Sequence, residues 1–303
     1  MMIESRDSRT EKLWSGMAFR MLVDTVSHPL HYAKVLIQIG HEPIPPWATR
    51  TLFGKPALAL PNIFQYVRYI KSVDGFTGCY RGLVPRLCAH SVSAIAVDST
   101  GESILFTEYY PEIERDKDVD VDDLPDHQRR AIYVRELVKD ITCRVAGIII
   151  SHPLDVITIR AMAQFVGGET KYNGVFSSII EIYQENGLTG FYSGLLPRLI
   201  ANISTLVLVS GTTYILNKHF IRDREIRGYT ADAMTFLSRN ITDPFLVVYH
   251  CMAVNNSGLI AGSPPHMPIY NRWTDCWRHL ASINGLKRGS SVLWRYYTAP
   301  QIM

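Results

Sequence analysis

The sequence predicts an all-α membrane protein built as a three-fold repeat of kinked transmembrane helices with short surface helices between them. Three observations carry that prediction. The step Ser27-His28-Pro29-Leu30 returns at Ser151-His152-Pro153-Leu154 and, altered, at Thr242-Asp243-Pro244-Phe245. A glycine turn follows each one, at Asp74-Gly75, Asn186-Gly187 and Asn284-Gly285. In two copies that turn leads into Tyr80-Arg81-Gly82-Leu83-Val84-Pro85-Arg86 and Tyr192-Ser193-Gly194-Leu195-Leu196-Pro197-Arg198. Self-similarity of this kind marks one repeat-built unit. The third copy has only about 14 residues after Gly289, where a spanning helix needs roughly 20. The expected helix barrel therefore lacks its sixth helix and opens sideways as a polar groove.

The elements follow in order. Residues 1–12 form a polar N-terminal segment of mixed charge, unlike a secretory signal and too acidic for a good presequence. Repeat one covers 13–110. Its first helix is expected over Leu13–Ile39 and is kinked at Pro29, because proline lacks an N–H and crowds the preceding turn. Gly40 to Pro61 reads as a Pro-rich loop. A short amphipathic helix carries Ile63, Val67 and Ile70 on one side, and the second long helix is expected over Val84–Tyr109. Residues 111–130 read as an acidic, solvated linker.

Repeat two covers 131–221. It is expected to have a long helix over Ala131–Val166 around Pro153, a surface helix over Val175–Glu185 and a second long helix over Leu196–Phe220. Repeat three covers 222–303, with a long helix over Ala231–Val254 around Pro244, a Gly/Pro loop and a surface helix over Trp273–Ile283. Its terminal stub carries Trp294, Tyr296 and Tyr297, which suit a membrane interface. The stub either lies on the surface or covers part of the gap; a frayed tail is the other reading.

Composition narrows the function. Apolar residues make up 47% and mean hydropathy is +0.02, low for a protein with many spans. The reason is charge inside the expected spans: Arg20 and Asp24, Asp98 and Glu102, Asp140 and Arg144. Charges at such depth usually face a bundle interior or a water-filled cavity. A net charge of +3 with dispersed bases does not describe a nucleic-acid surface. Five cysteines make no CxxC and no Cys/His metal spacing. No phosphate loop or nucleophile elbow is present, so no enzyme, cofactor or metal is expected.

The polar residues fall into stripes. Arg20, Asp24, Ser27 and His31 share a helix face, as do Asp140, Arg144, Gly147, Ser151 and Asp155. Arg239 and Asp243 form a shorter stripe. Arg86 and His90 near the start of one helix correspond to Arg198 and Asn202 in another. With Lys34, these residues are the expected groove and client path. Arg20–Asp24 and Asp140–Arg144 can instead be intrahelical pairs. His28 and His152 are read as belonging to the helix kinks rather than to a metal, and Asp155 as a possible relic.

These modules resemble the mitochondrial carrier family over nearly the whole chain. Each copy in that family has a kinked helix with Pro-x-Asp/Glu-x-x-Lys/Arg, a surface helix, and an acidic-Gly turn ending in aromatic-basic-Gly. Asp74-Gly75-Phe76-Thr77-Gly78-Cys79-Tyr80-Arg81-Gly82 fits that turn fully. The departures matter equally. In transporting carriers the acid and base after each proline form an ion-pair ring that closes one gate. Here His31 replaces the first acid and Lys34 is kept; Asp155 is kept and Thr158 replaces the base; Leu246 and Tyr249 replace both in copy three. The opposite gate is unrecognisable around Tyr109 and Tyr214.

That pattern is most similar to the carrier homologs of the mitochondrial outer membrane. The segments that carry this likeness include Lys34-Val35-Leu36-Ile37-Gln38, Glu42-Pro43, Pro85-Arg86-Leu87-Cys88, Met252-Ala253-Val254-Asn255-Asn256 and Pro264-Pro265. The resemblance implies a multi-pass outer-membrane insertase for tail-anchored and other α-helical membrane-protein clients. It also implies scrambling of phospholipids and binding of pro-apoptotic BCL-2-family proteins. A docking receptor or an inner-membrane solute carrier are the alternatives.

Overall fold

The computed structural model describes residues 2–50, 54–102, 125–220, 224–291 and 293–297. Among them are α1 (Met2–Gln38), β1 (Trp47–Arg50), β2 (Pro56–Leu60), α2 (Ile63–Gly78), α3 (Leu83–Glu102), α4 (Asp126–Ala163), α5 (Val175–Gly190), α6 (Leu195–His219), α7 (Arg224–Val254), α8 (Trp273–Ser282) and β3 (Arg295–Tyr296). Pro29, Pro153 and Pro244 lie inside α1, α4 and α7 as expected. The chain forms two compact units. One comprises Met1–Ser91, His152–Arg198 and Asp243–Met303; the other Val92–Ser151 and Leu199–Thr242.

The core of the first unit is built from the three proline helices. Tyr32, Val35 and Leu36 of α1, Val156, Ile157 and Met162 of α4, and Val247, Val248 and Cys251 of α7 are buried together. Ile70, Ile182 and Leu280 bring in the three short helices. Asn62 caps α2: its side-chain oxygen accepts from the Gln65 N–H (2.9 Å), and its own N–H donates to Gln65 Oε1 (3.0 Å). That reciprocal pair satisfies two otherwise orphan donors.

Three glycines hold the repeats together. Gly82, Gly194 and Gly289 adopt φ of 76°, 78° and 73°, a region that costs an L side chain about 1–2 kcal/mol. A Cβ on Gly82 would sit 2.9 Å from the Thr158 carbonyl oxygen, and one on Gly194 2.8 Å from that of Tyr249. One on Gly289 would sit 3.1 Å from Cγ of Gln38 and 3.6 Å from Cγ of Lys34. Thr158, Tyr249 and Lys34 stand at one position, five residues after each proline. Repeat one therefore packs on two, two on three, and three on one.

The expectation of an all-α fold is corrected by a small antiparallel sheet of order β1-β2-β3. The segment read as a Pro-rich loop holds the β1–β2 hairpin. The terminal stub supplies β3, with Ala59 opposite Tyr296 and Leu60 opposite Arg295. Arg295 fixes it, donating to the Pro61 carbonyl (2.8 Å) and pairing with Glu42. Paired backbone and a buried guanidinium hold this segment, so it is neither frayed nor helical over its described part. Residues 103–124, most of the expected acidic linker and the end of the second long helix, lie outside the described residues. The end of that linker, Asp126–Arg130, is the start of α4 rather than a loop. The α5 segment runs on to Gly190 through a break at Gly187, and α7 begins seven residues before its expected start.

In the second unit, neighbouring helices touch in chain order. Gly147 of α4 is closed in by Ser93 and Val97 of α3. Tyr133 of α4 stacks on Tyr214 of α6 at 4.7 Å, and Thr205 of α6 hydrogen-bonds Thr242 of α7 at 2.8 Å. Helices α4 and α6 are long and apolar enough to cross a membrane. Charges interrupt α1 and α7 and lower their average.

Two measurements test this packing. In detergent-purified protein, Gly82→Ala should destabilise by about 2–4 kcal/mol, from left-handed strain plus an overpacked contact. Gly168→Ala, also at positive φ (65°) but with nothing within 4 Å, should cost only about 1 kcal/mol. Equal losses would mean that the close approach contributes nothing. His41, in the loop after α1, is held at about 4 rather than 6.5, by burial first and the charge of His266 second. A histidine that resists protonation in the fold contributes stability that is whole above pH 6.5 and fades as pH falls through about 4. The His41→Phe variant should unfold with a flatter pH dependence across that window.

Candidate functional site

The charged residues near the prolines are paired by one recurring device. In repeat one, Arg86 of α3 donates to His28 Nδ1 at 3.3 Å and to Asp24 at 3.0 Å. An arginine only donates, so His28 Nδ1 accepts and its Nε2–H donates to the Arg81 carbonyl at 2.9 Å. The ring stacks on Tyr80 with centroids 6.1 Å apart. His90 adds a 2.5 Å contact to the other Asp24 oxygen. In repeat two, Arg198 of α6 donates to His152 Nδ1 at 3.0 Å and pairs with Asp155 at 2.7 Å. His152 Nε2 donates to the Ser193 carbonyl at 3.1 Å and its ring stacks on Tyr192. Arg198 also lies over the Tyr249 ring at 5.4 Å.

The two copies differ in where the carboxylate comes from. Asp24 precedes its proline by five residues, whereas Asp155 follows its own by two. Copy three has Asp243 in the histidine position and Leu293 four residues after its turn glycine, where the others have Arg86 and Arg198. Asp243 turns instead to Lys34 of repeat one, at 3.5 Å.

The structure joins residues of different stripes, each pair coming from two helices. Asp24, Arg86 and His90 form one cluster, Asp155 and Arg198 another, and Lys34 and Asp243 a third. The intrahelical Arg20–Asp24 reading is replaced by Asp24's contacts to α3, and Asp155 pairs with Arg198. His28 and His152, assigned to the kinks, are hydrogen-bond acceptors for arginine; their recurrence before two of the three prolines is the signal that pointed to them. Arg20, Asp140, Arg144 and Arg239 occupy exposed positions. Ser27 and Ser151 hydrogen-bond within their own helices, to Asp24 and Ile148 carbonyls at 3.4 Å each. His31 and Asn202 are half-buried.

A second buried network escaped the sequence reading. Arg160 of α4 is fully buried and donates to the Ala253 carbonyl (3.0 Å), Asn186 Oδ1 (3.0 Å) and the Tyr172 hydroxyl (3.4 Å). Tyr172 donates to Glu185 at 3.0 Å. The available signal was Arg160 itself, the single charge between Val156 and Phe165. Among the described residues, no group of three or more His, Cys, Asp or Glu is placed to hold a metal ion.

Removing one member of a buried charge pair leaves the other uncompensated. Arg86→Met should destabilise by about 3–5 kcal/mol, and adding Asp24→Leu should restore much of it. A double variant as unstable as the sum of its singles would refute the coupling of Asp24 to Arg86.

Comparison with known proteins agrees with this geometry. The family model described as mitochondrial carrier protein matches residues 5–102 and 133–224. Mitochondrial carrier homolog 2 of Mus musculus is 37% identical over 277 residues, 89% of each chain. The Homo sapiens protein of that name is 36% identical over 282 residues with the same coverage. Mitochondrial carrier homolog 1 of Mus musculus is 36% identical over 90% of this chain and 74% of its own. None of these relatives bears the name of an enzyme. The chain belongs to the mitochondrial carrier family as a divergent, mostly helical member, and is by that membership a mitochondrial membrane protein.

Proposed function

We propose that this protein is an outer-membrane insertase for tail-anchored and other α-helical membrane proteins. The observation that carries the reading is exposed charge on long membrane helices. Arg20 of α1, Asp140 and Arg144 of α4 and Arg239 of α7 are exposed among Phe19, Leu22, Ile149, Ile150, Phe236 and Ile241, which are exposed too. An unpaired charge or backbone group costs several kcal/mol in hydrocarbon. Exposed charges of this kind along a helix lower that cost for the polar tail of a client, while its apolar helix partitions into lipid. A phospholipid headgroup would use the same route, which makes scrambling a companion activity. Of the family's ring residues, Lys34 pairs with Asp243, which precedes its proline, and Asp155 pairs with Arg198, which disfavours gated solute exchange. Docking of pro-apoptotic regulators would use the acidic segment or the exposed groove.

The test is insertion of a fluorescent tail-anchored protein into liposomes holding the purified chain. The Arg20→Glu, Asp140→Lys variant changes exposed positions only, so its folded amount should match. Insertion should exceed empty liposomes several-fold and fall to background in the variant. Equal insertion by both proteins would sink the groove; saturable exchange of a small anion would move the assignment to a solute carrier.

A further inference from the structure

We infer that the three-stranded sheet forms a docking slot for a proline-rich segment in the polyproline II conformation, with acidic flanks. The register places Trp47, Ala59 and Tyr296 side by side on one face, because directly opposed residues of paired strands point the same way. The small Ala59 lies between two aromatic walls. With strands about 4.8 Å apart, the wall residues stand roughly 10 Å apart at the backbone. That spacing admits one flat saturated ring in van der Waals contact, about 3.5–4.0 Å, with each face. Trp294 extends the wall, and the resulting cavity holds about 390 Å³.

The polar rim selects the backbone that carries such rings. Asn62 and Gln65 line the cavity, and their amide oxygens already accept the two backbone N–H groups of the α2 cap. What their amide groups offer outward is therefore N–H. Arg50, exposed at the rim, adds further donors. A polyproline II segment makes no internal hydrogen bonds and presents unsatisfied carbonyls in regular succession. Such segments are commonly read by aromatic-lined grooves. Charge points to the flanks: Pro43 to Val73 contains Arg50, Lys55, Arg68 and Lys71 and no acid. The slot lies in the first unit and does not include the polar stripes, so it stands whether or not the protein is an insertase.

The experiment uses the full chain in detergent micelles and a fluorescein-labelled oligoproline peptide with a glutamate at each end. Fluorescence anisotropy should report saturable binding, with the same peptide carrying glycine for proline binding at least ten-fold more weakly. Ala59→Leu, which fills the slot floor, should reduce affinity ten-fold or more with an unchanged thermal midpoint. Should that variant fail to fold, Trp294→Ala at an exposed position gives the same reading, and Arg50→Gln should weaken the acidic peptide alone. Equal binding of the proline and glycine peptides would overturn the assignment. So would undiminished binding by a folded Ala59→Leu variant. Competition by a short-chain phospholipid, without preference for proline, would give the slot to a lipid headgroup and likewise overturn it.

Discussion

The close approach of a turn glycine to the next repeat's proline helix is the contact on which the rest of this architecture depends. Gly82, Gly194 and Gly289 each put backbone where any side chain would press on the facing helix. The three contacts run from repeat one to two, two to three and three to one. Third-copy residues stop resembling the other two soon after Gly289, yet the glycine and its turn persist. That persistence has a physical cause: without it, α1 would lose the neighbour that closes the cycle at Lys34 and Gln38.

Once the helices are held at that distance, their charges have few places to go. Each arginine after the turn finds the histidine before its own repeat's proline, and a carboxylate completes the neutralisation. Asp155 pairs with Arg198 within repeat two, and its charge also acts on Arg86 of repeat one. Repeat three has no such arginine among its described residues, and Asp243 reaches across to Lys34. Ion pairs that would be exchanged between repeats in a gated carrier are here mostly kept within them. The device favours a fixed arrangement of the first unit over a cyclic opening and closing.

Much of this was legible in the sequence, for reasons that differ by element. The proline helices announced themselves through a repeated step and a repeated turn, since both depend on local backbone chemistry. The clusters around Asp24 and Asp155 were half legible: spacing put the acids on shared faces, but the arginine partner lies on another helix and no spacing rule names it. Arg160 stayed hidden because its partners, Asn186, Tyr172 and Ala253, come from three separate segments. The sheet stayed hidden for the same reason. Its outer strands are separated by most of the chain, and β3 is two residues long, too short for any alternation to register.

The clasp between Arg295, Glu42 and the Pro61 carbonyl has a consequence for how the molecule comes into being. Glu42 and Arg295 are 253 residues apart. Closing so long a loop carries an entropic cost that grows only slowly with length but must be met before the contact contributes. A contact of this separation forms late and slows the search for the native topology. Contacts between repeats one and two can form before this one, whereas the third strand waits for residues far along the chain. During that interval the hairpin of β1 and β2 keeps an unpaired edge, a surface open to pairing with another chain. β3 is thus also the cap that covers this edge.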